Sequence, residues 1–498
     1  MFVPKLTLVF GQPLFSEHSQ FQVCKIPANM LKATLSLRGT LFHGPPRASF
    51  CRSNHIIYMK VLDGTTMEEA KIPPTSHIHR HNQASHHRMG PLFRQYFSYC
   101  SEGLWVGCKD LVREVSHAPH ITPMCIYPVM WRLFEEKSGV KRGLSMNDLD
   151  AWHSNEAALK SLVINPTGLN HPMHPLISAQ RLTDKWKSRN GSFTPHFDLE
   201  IWAIESSLTY LFGDSIDLFD TQLYHYCLKQ MKKNIVALNL SFCPEEAALE
   251  SSIWEGFKEA GVQALRMGRE FSAATRESGG SGLVHQMRAS GLWSEDDLNS
   301  LLADVLMNSS VNLMKTAMWI VHVMSSSTSI AEHLAKNSND IGYIRLLLNE
   351  TFRFFPVTPY LTKMNTEVLK LGGWEIPKGH LMIMSYFTLA QEEFFWQSDK
   401  YFWPERWDHC YDRDVNWRFS YSTLPIGFKI NDCAFLKMTE EQLIPLVQVL
   451  ASNLSLEQSN MTKYPDTKRA MDLSGLPSQP LVIQTNLRQA NMRLHSML

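Results

Sequence analysis

The sequence predicts a mainly α-helical protein with a small β portion. Three stretches carry that expectation. From about Asn147 to Ser278 apolar residues recur at helical intervals, as in Leu199, Trp202, Ala203 and Leu208, and again in Ile253, Phe257, Ala260, Val262 and Leu265. From Leu301 to Met324, Leu302, Val305, Leu306, Leu313, Met314, Ala317, Met318, Ile320 and Val321 cover most of the circumference of one long helix, the pattern of a helix buried in a large core or in lipid. Asp304, Asn308, Asn312 and Lys315 argue against lipid and for a central helix running through the domain. From Val368 to Met384 short extended segments are punctuated by Gly372-Gly373, Pro377 and Gly379, which reads as strands joined by turns.

The chain has 498 residues, long for one average domain but within reach of a single helical domain built around a large cofactor. Lys+Arg 48 balance Asp+Glu 48, so no polyelectrolyte partner is implied and nucleic acid is excluded as an expected ligand. Nine cysteines, an odd number without any C-x-x-C pair, point to a reducing compartment rather than to a disulfide framework or structural zinc.

Between Met1 and His55 there are six basic residues (Lys5, Lys25, Lys32, Arg38, Arg47, Arg52) against one acid, Glu17. Two readings stand, a mitochondrial presequence and a disordered basic tail; no apolar run is long enough for a membrane anchor. Residues 1–70 are read as leader and linker and 71–498 as one domain. A histidine-rich patch (His77, His79, His81, His86, His87) follows; its alternating and doubled spacing does not settle on the i, i+4 geometry of a helical metal pair, no carboxylate joins it, and a solvated helical face is favoured. Gly90-Pro91 then reads as a turn opening a short strand.

Three separated signals carry chemistry. In Leu347-Leu348-Asn349-Glu350-Thr351-Phe352-Arg353 an acid and a base stand at i, i+3 among apolar neighbours, and a buried charge survives only when well paired. In Pro404-Glu405-Arg406-Trp407, Arg406 offers a second guanidinium to Glu350, closing a three-membered network. Cys433 precedes a helical pattern through Leu443, Leu446, Val447 and Leu450, and the unpaired amides at a helix entrance stabilise a thiolate.

In this order the motifs resemble those of the cytochrome P450 superfamily, mitochondrial branch, from about His77 to the C-terminus. Within it, Arg353-Phe354-Phe355-Pro356-Val357-Thr358-Pro359, Leu371-Gly372-Gly373 and Pro404-Glu405-Arg406-Trp407 resemble the R-L-Y-P-V-A-P, L-G-G and P-E-R-W of the arthropod ecdysteroid 2-hydroxylase group. The resemblance implies a haem b held between the central helix and Cys433, the axial ligand of the iron. It implies a steroid-like substrate, a mitochondrial ferredoxin as electron donor, a monomer, and a peripheral site on the matrix side of the inner membrane.

Several positions depart from the family pattern. The acid and alcohol that deliver protons to the distal oxygen map to Val311 and Asn312, preceded by Ser309 and Ser310, which are candidate substitutes. The groups that hold the haem propionates map to Trp152 and Glu156, to Lys363 and to Asn431. Lys429 and Phe435 stand where the cysteine loop has glycine, and glycine there relieves backbone strain. For the ferredoxin surface, Arg345 and Lys437 fit, whereas Asn349 and Leu436 weaken it. Two functions therefore remain open: a diverged haem-thiolate monooxygenase, and a family member without turnover that binds a sterol or a partner. An α-rich protein unrelated to haem is disfavoured by the ordered motif set.

Overall fold

The computed structural model describes residues 78–97, 101–118, 120–123, 134–137, 149–164, 174–213, 252–278, 282–357, 359–391, 396, 400–408, 434–459, 477 and 480–488. The leader reading of residues 1–70 lies outside them.

The chain enters through α1 (Ile78–Met89), which ends at Gly90 with φ 97° and turns into β1 (Leu92–Phe97) and β2 (Ser101–Val106). Of the histidine patch, His77 and the side chains of His79 and His81 lie outside the described residues. His87 is exposed, but His86 is buried edge-on against Phe93, 4.7 Å between ring centroids, and burial lowers its pKa to about 4. The solvated-face expectation fails at His86 because α1 must cover the sheet, and a neutral imidazole is apolar enough to do so. Phe93 and Trp105 are register partners across β1 and β2, Tyr360 meets Trp105 edge-to-face, and Asn82 donates to the Tyr360 hydroxyl at 2.8 Å, fastening helix to sheet.

The helical body follows: α2 (Lys109–His117), then β3 (Ile121–Pro123), α3 (Leu149–Ile164), α4 (His174–Lys187), β4 (Ser192–Phe193), α5 (His196–Phe212), α6 (Ser252–Ser278), α7 (Leu283–Ser290), α8 (Glu295–Ser326), α9 (Thr328–Lys336) and α10 (Ile341–Phe354). The expected helices between Asn147 and Ser278 are α3 to α6, with residues 214–251 outside the description. Leu199, Trp202, Ala203 and Leu208 are buried on α5 as their spacing predicts; on α6 Leu265 is buried but Val262 is 46% exposed.

The predicted central helix is α8, longer than its apolar core. Its 32 residues span about 48 Å. Ser294 caps it by accepting from the Asp297 amide at 3.2 Å, and Glu295, Asp296 and Asp297 in the first turn complement the positive end of the helix dipole. Among the described residues no helix is long and apolar enough to cross a membrane.

After α10 come β5 (Tyr360–Asn365), β6 (Leu369–Leu371), β7 (Trp374–Ile376), β8 (Leu381–Ser385), α11 (Tyr386–Leu389), a 3-10 turn at Pro404–Trp407, α12 (Ala434–Asn453), β9 (Leu454–Gln458) and β10 (Ile483–Leu487). The predicted β block divides in two. β6 and β7 form a separate hairpin whose two loop residues, Gly372 and Gly373, have φ 57° and 82°, as a two-residue hairpin loop requires. β8 instead joins the main sheet, of order β1-β2-β8-β5-β3, parallel to β2 and antiparallel to β5. A third sheet, β4-β10-β9, closes the far end.

Two apolar clusters pack along α8. Leu298, Leu301, Leu302, Val305 and Leu306 join residues of α3, α5, α6 and α7 and Met438 of α12. Leu313 to Met324 join α4, α5, α10 and the Leu443–Ala451 stretch of α12.

Candidate functional site

The best-defined polar constellation lies where α10 meets the Pro404–Trp407 turn. Glu350 and Arg353 are both fully buried, and Arg406 is 5% exposed at its side chain. Glu350 Oε1 accepts from Arg353 Nη2 at 2.6 Å, Arg406 Nε at 3.0 Å and the Trp403 amide at 2.9 Å; Oε2 accepts from Arg353 Nε and Trp407 Nε1, both at 2.9 Å. Arg353 Nη1 donates to the Ala390 carbonyl at 2.8 Å, and Arg353 and Arg406 both donate to the Tyr401 carbonyl. The i, i+3 spacing thus brings acid and base together, and Arg406 arrives from the turn. Trp407 was not singled out as a donor by sequence reasoning, and neither was Trp396, over which the Arg353 guanidinium stacks at 5.2 Å. A carboxylate with five donors, flanked by aromatic faces, keeps a buried charge satisfied and rigid.

The second feature is a break in the core along α8. The two apolar clusters stop at Leu306 and resume at Leu313, and between them lie Asn308, Ser309, Ser310, Val311 and Asn312. Val311, Asn312 and Lys315 keep partial solvent access in the middle of a helix otherwise buried on both sides of them. Ser309 and Ser310 are 5% and 3% exposed. The Ser310 hydroxyl donates to the Leu306 carbonyl at 2.8 Å, whereas Ser309 Oγ is buried with no hydrogen-bond partner.

The remaining sequence-predicted positions are less completely described. Trp152 and Glu156 lie on α3, with their side chains outside the described residues. Lys363 is half-buried on β5, opposite Met382 of β8 and Pro123 of β3. Lys429, Asn431 and Cys433 lie outside the described residues, as does the side chain of Phe435; α12 begins at Ala434, directly after Cys433 in the sequence.

Sequence reasoning missed the polar seam that holds α12. Three consecutive residues are each tied to a different partner: Glu440 to Arg345 of α10, Glu441 to the Tyr210 hydroxyl of α5 at 2.7 Å, and Gln442 to the Ser206 hydroxyl at 2.9 Å. Burial first, then the Glu441 charge, pushes the Tyr210 phenol up, so it stays a donor. Lys437 pairs with Glu440 at 3.4 Å and Glu441 at 3.3 Å. Arg345 and Lys437, the two cations expected to face an acidic protein, are therefore both paired within the chain. No pattern in residues 437–442 announces this, because each partner lies far away in sequence.

The core along α8 is interrupted and holds one buried hydroxyl without a hydrogen-bond partner, and the helix packed against α8 follows directly on a cysteine in the sequence, a residue order that fits a cofactor with an axial thiolate. Among the described residues no group of three His, Cys, Asp or Glu side chains suits a bare metal ion.

Comparison with known proteins agrees. The family model for Cytochrome P450 matches residues 70–428, a span that stops short of Cys433. Similar proteins include "Cytochrome P450 315a1, mitochondrial" of Drosophila melanogaster, 22% identical over 434 residues, which cover 80% of this chain and 82% of that one. "Cytochrome P450 27C1" of Danio rerio is 19% identical, over 78% of each chain. "Cytochrome P450 11B2, mitochondrial" of Mus musculus is 19% identical, over 74% of this chain and 79% of the relative.

Proposed function

This chain belongs to the cytochrome P450 family, in its mitochondrial clade, and is a haem-thiolate monooxygenase; on that premise we propose that Cys433 is the axial ligand and that the substrate is a steroid of the ecdysteroid class. The observation that carries the ligand assignment is the start of α12 at Ala434, so that Cys433 directly precedes a helix packed against α8. When bound, the haem with its thiolate supplies the reductive activation of dioxygen.

The chain's own residues hold and shield it. Trp152, Lys363 and Asn431 serve the propionates, Lys363 with a charge and the other two with hydrogen bonds. Glu350, Arg353 and Arg406 anchor the turn at Pro404–Trp407 and, through it, the chain that leads towards the cysteine. Glu440, Glu441 and Gln442 fix α12 against α10 and α5. The stretch Ser309–Asn312 supplies the oxygen side, with Ser310, Val311 and Asn312 at the positions of oxygen activation. The substrate reading rests on the likeness of the Arg353–Pro359, Leu371–Gly373 and Pro404–Trp407 motifs to those of ecdysteroid hydroxylases. Electrons come from a ferredoxin, and the protein acts at the matrix side of the mitochondrial inner membrane as a peripheral monomer. Residues 71–498 form the one catalytic domain, behind a presequence.

A second reading, a sterol- or partner-binding member without turnover, is favoured by specific observations. The family match ends before Cys433, Val311 and Asn312 replace an acid and an alcohol, and the two cations suited to an acidic ferredoxin are paired with Glu440 and Glu441. The test is incubation of the purified full chain with a [2Fe-2S] ferredoxin, its reductase, NADPH and an ecdysteroid, read by mass spectrometry. A product one oxygen heavier supports the monooxygenase with this substrate class. Haem incorporation with steroid binding and no product at any ferredoxin concentration supports the second reading.

A further inference from the structure

The sequence holds one Asn-Gly pair, Asn190-Gly191, and the fold sets it in the turn between α4 and β4. Both flanks of that turn are held. On the α4 side, Lys185 Nζ and Arg189 Nη2 each lie 2.8 Å from the buried Asp198 carboxylate of α5, and Trp186 Nε1 donates to it at 3.0 Å. On the strand side, Ser192 and Phe193 pair with Gln484 and Ile483 of β10. The Phe193 ring meets Trp186 edge-on at 5.6 Å and carries the Arg189 guanidinium at 4.5 Å. The tip between these holds is free: Asn190 and Gly191 are exposed, and the Asn190 carboxamide has no hydrogen-bond partner among the described residues. Gly191 has φ 77°, and a Cβ there would meet nothing within 4 Å.

An exposed asparagine followed by glycine is chemically labile, because with no side chain at the next residue its backbone nitrogen reaches the carboxamide carbon. We propose that Asn190 is a site of spontaneous deamidation, and that isoaspartate at this position releases β4 from the edge of the β4-β10-β9 sheet. Gly191 N attacks Asn190 Cγ; a C–N bond forms, the bond to the carboxamide nitrogen breaks, and ammonia leaves with the proton given up by the Gly191 amide. Water then opens the cyclic imide. Cleavage between Gly191 N and Cγ leaves aspartate, and cleavage between Gly191 N and the main-chain carbonyl carbon leaves isoaspartate. The net change is water in and ammonia out, with no oxidant, cofactor or enzyme. Aspartate adds a charge beside Arg189, whose guanidinium already serves Asp198. Isoaspartate also lengthens the main chain by one methylene two residues before Ser192, which shifts Ser192 and Phe193 out of register with Gln484 and Ile483. β4 is two residues long and has no third pair to hold it. Its release uncovers Ile483, which is fully buried in the core cluster that α4, α8 and α12 share.

The experiment ages the full-length holoprotein at neutral and at mildly alkaline pH beside Asn190→Gln, whose longer side chain closes the ring slowly, and Gly191→Ala. Peptide mapping by mass spectrometry reads the acid formed at each asparagine, and an isoaspartate-specific methyltransferase with S-adenosylmethionine reads isoaspartate. Hydrogen exchange reads the Phe193 and Ile483 amides. Expected is acid formation at Asn190 at least tenfold faster than at the exposed Asn337, faster at the higher pH, and slowed at least tenfold in Gly191→Ala. Aged wild type is expected to exchange the Phe193 and Ile483 amides at least tenfold faster than fresh wild type, while aged Asn190→Gln exchanges them as it did when fresh. Asn190→Asp, which has the charge without the longer main chain, keeps slow exchange. An Asn190 that stays intact, or that changes no faster than Asn337, overturns the site. Isoaspartate with unchanged exchange, or equal loosening on ageing in Asn190→Gln, overturns the release of β4 by this change, and fast exchange in Asn190→Asp overturns its main-chain cause.

Discussion

Glu350 concentrates the folding chemistry of the molecule on one carboxylate. Removing it leaves Arg353 fully buried and stripped of its partner, so Glu350→Ala is expected to cost about 3–5 kcal/mol in urea denaturation. Trp407→Phe keeps the ring but deletes one donor to Oε2 and is expected to cost about 1.5–3 kcal/mol, the scale of a hydrogen bond to a charged group. The acid and its first guanidinium were legible because i, i+3 on a helix is a short-range relation. The indole donor was not, because nothing in P-E-R-W distinguishes a tryptophan that packs from one that also donates. Two histidines, His86 buried and His322 half-buried on α8, make a second residue-scale prediction. Desolvation by the packed surroundings lowers both His86 and His322 to about 4, below their ordinary 6.5. Between pH 6.5 and 4 the unfolded chain therefore binds more protons than the folded one, so their contribution is fully present above pH 6.5 and lost as pH falls through that window. Stability is expected to fall by about 1.4 kcal/mol per pH unit per histidine there, read from urea midpoints, and His322→Phe is expected to halve the histidine part of the slope.

Among the elements, α8 and α12 were the most legible and the most instructive. A helix apolar nearly all round that also carries Asp304, Asn312 and Lys315 has its place in a protein core, and α8 lies between two core clusters. Its start was less legible: residues 295–300 are mostly polar, and the Ser294 cap with three acids after it is a boundary signal outside the apolar pattern. Strands β1 and β2 were only hinted at by Gly90-Pro91, because their pairing depends on β8, far along the chain. The hairpin β6–β7 was legible from Gly372-Gly373, whereas the departure of β8 into another sheet was not, since turn residues do not state which strand the next one joins. The seam along α12 supplies a test at this scale. A double-mutant cycle of Tyr210→Phe with Glu441→Gln is expected to give a coupling of about 1–2 kcal/mol in urea denaturation, since the 2.7 Å bond is partly buried and charged. A coupling near zero would mean that the Tyr210–Glu441 bond adds nothing to the hold of α5 on α12. Arg345 and Lys437 show the limit of reading charge from sequence: both are basic, and both are already paired across elements.

The whole molecule joins a sheet-bearing end to a helical body through α8, α10 and α12, and the polar gap between Leu306 and Leu313 sits within that body. Fold class and family were legible because period, turn residues and motif order are local or ordered along the chain. The positions expected to hold a cofactor come from the resemblance alone: Trp152 and Lys363 keep suitable groups, whereas Glu156, Asn431, Lys429 and Phe435 depart from the family pattern. The family to which the chain belongs carries a thiolate-ligated haem, and Cys433 is its proposed thiolate here. The most direct measurement is the absorption spectrum of the purified full-length protein, reduced and treated with carbon monoxide, beside that of Cys433→Ala. The expected result is a band at about 450 nm in the wild type that is absent from the variant. A variant that keeps the band, or a wild type without one despite stoichiometric haem, would contradict Cys433 as the ligand.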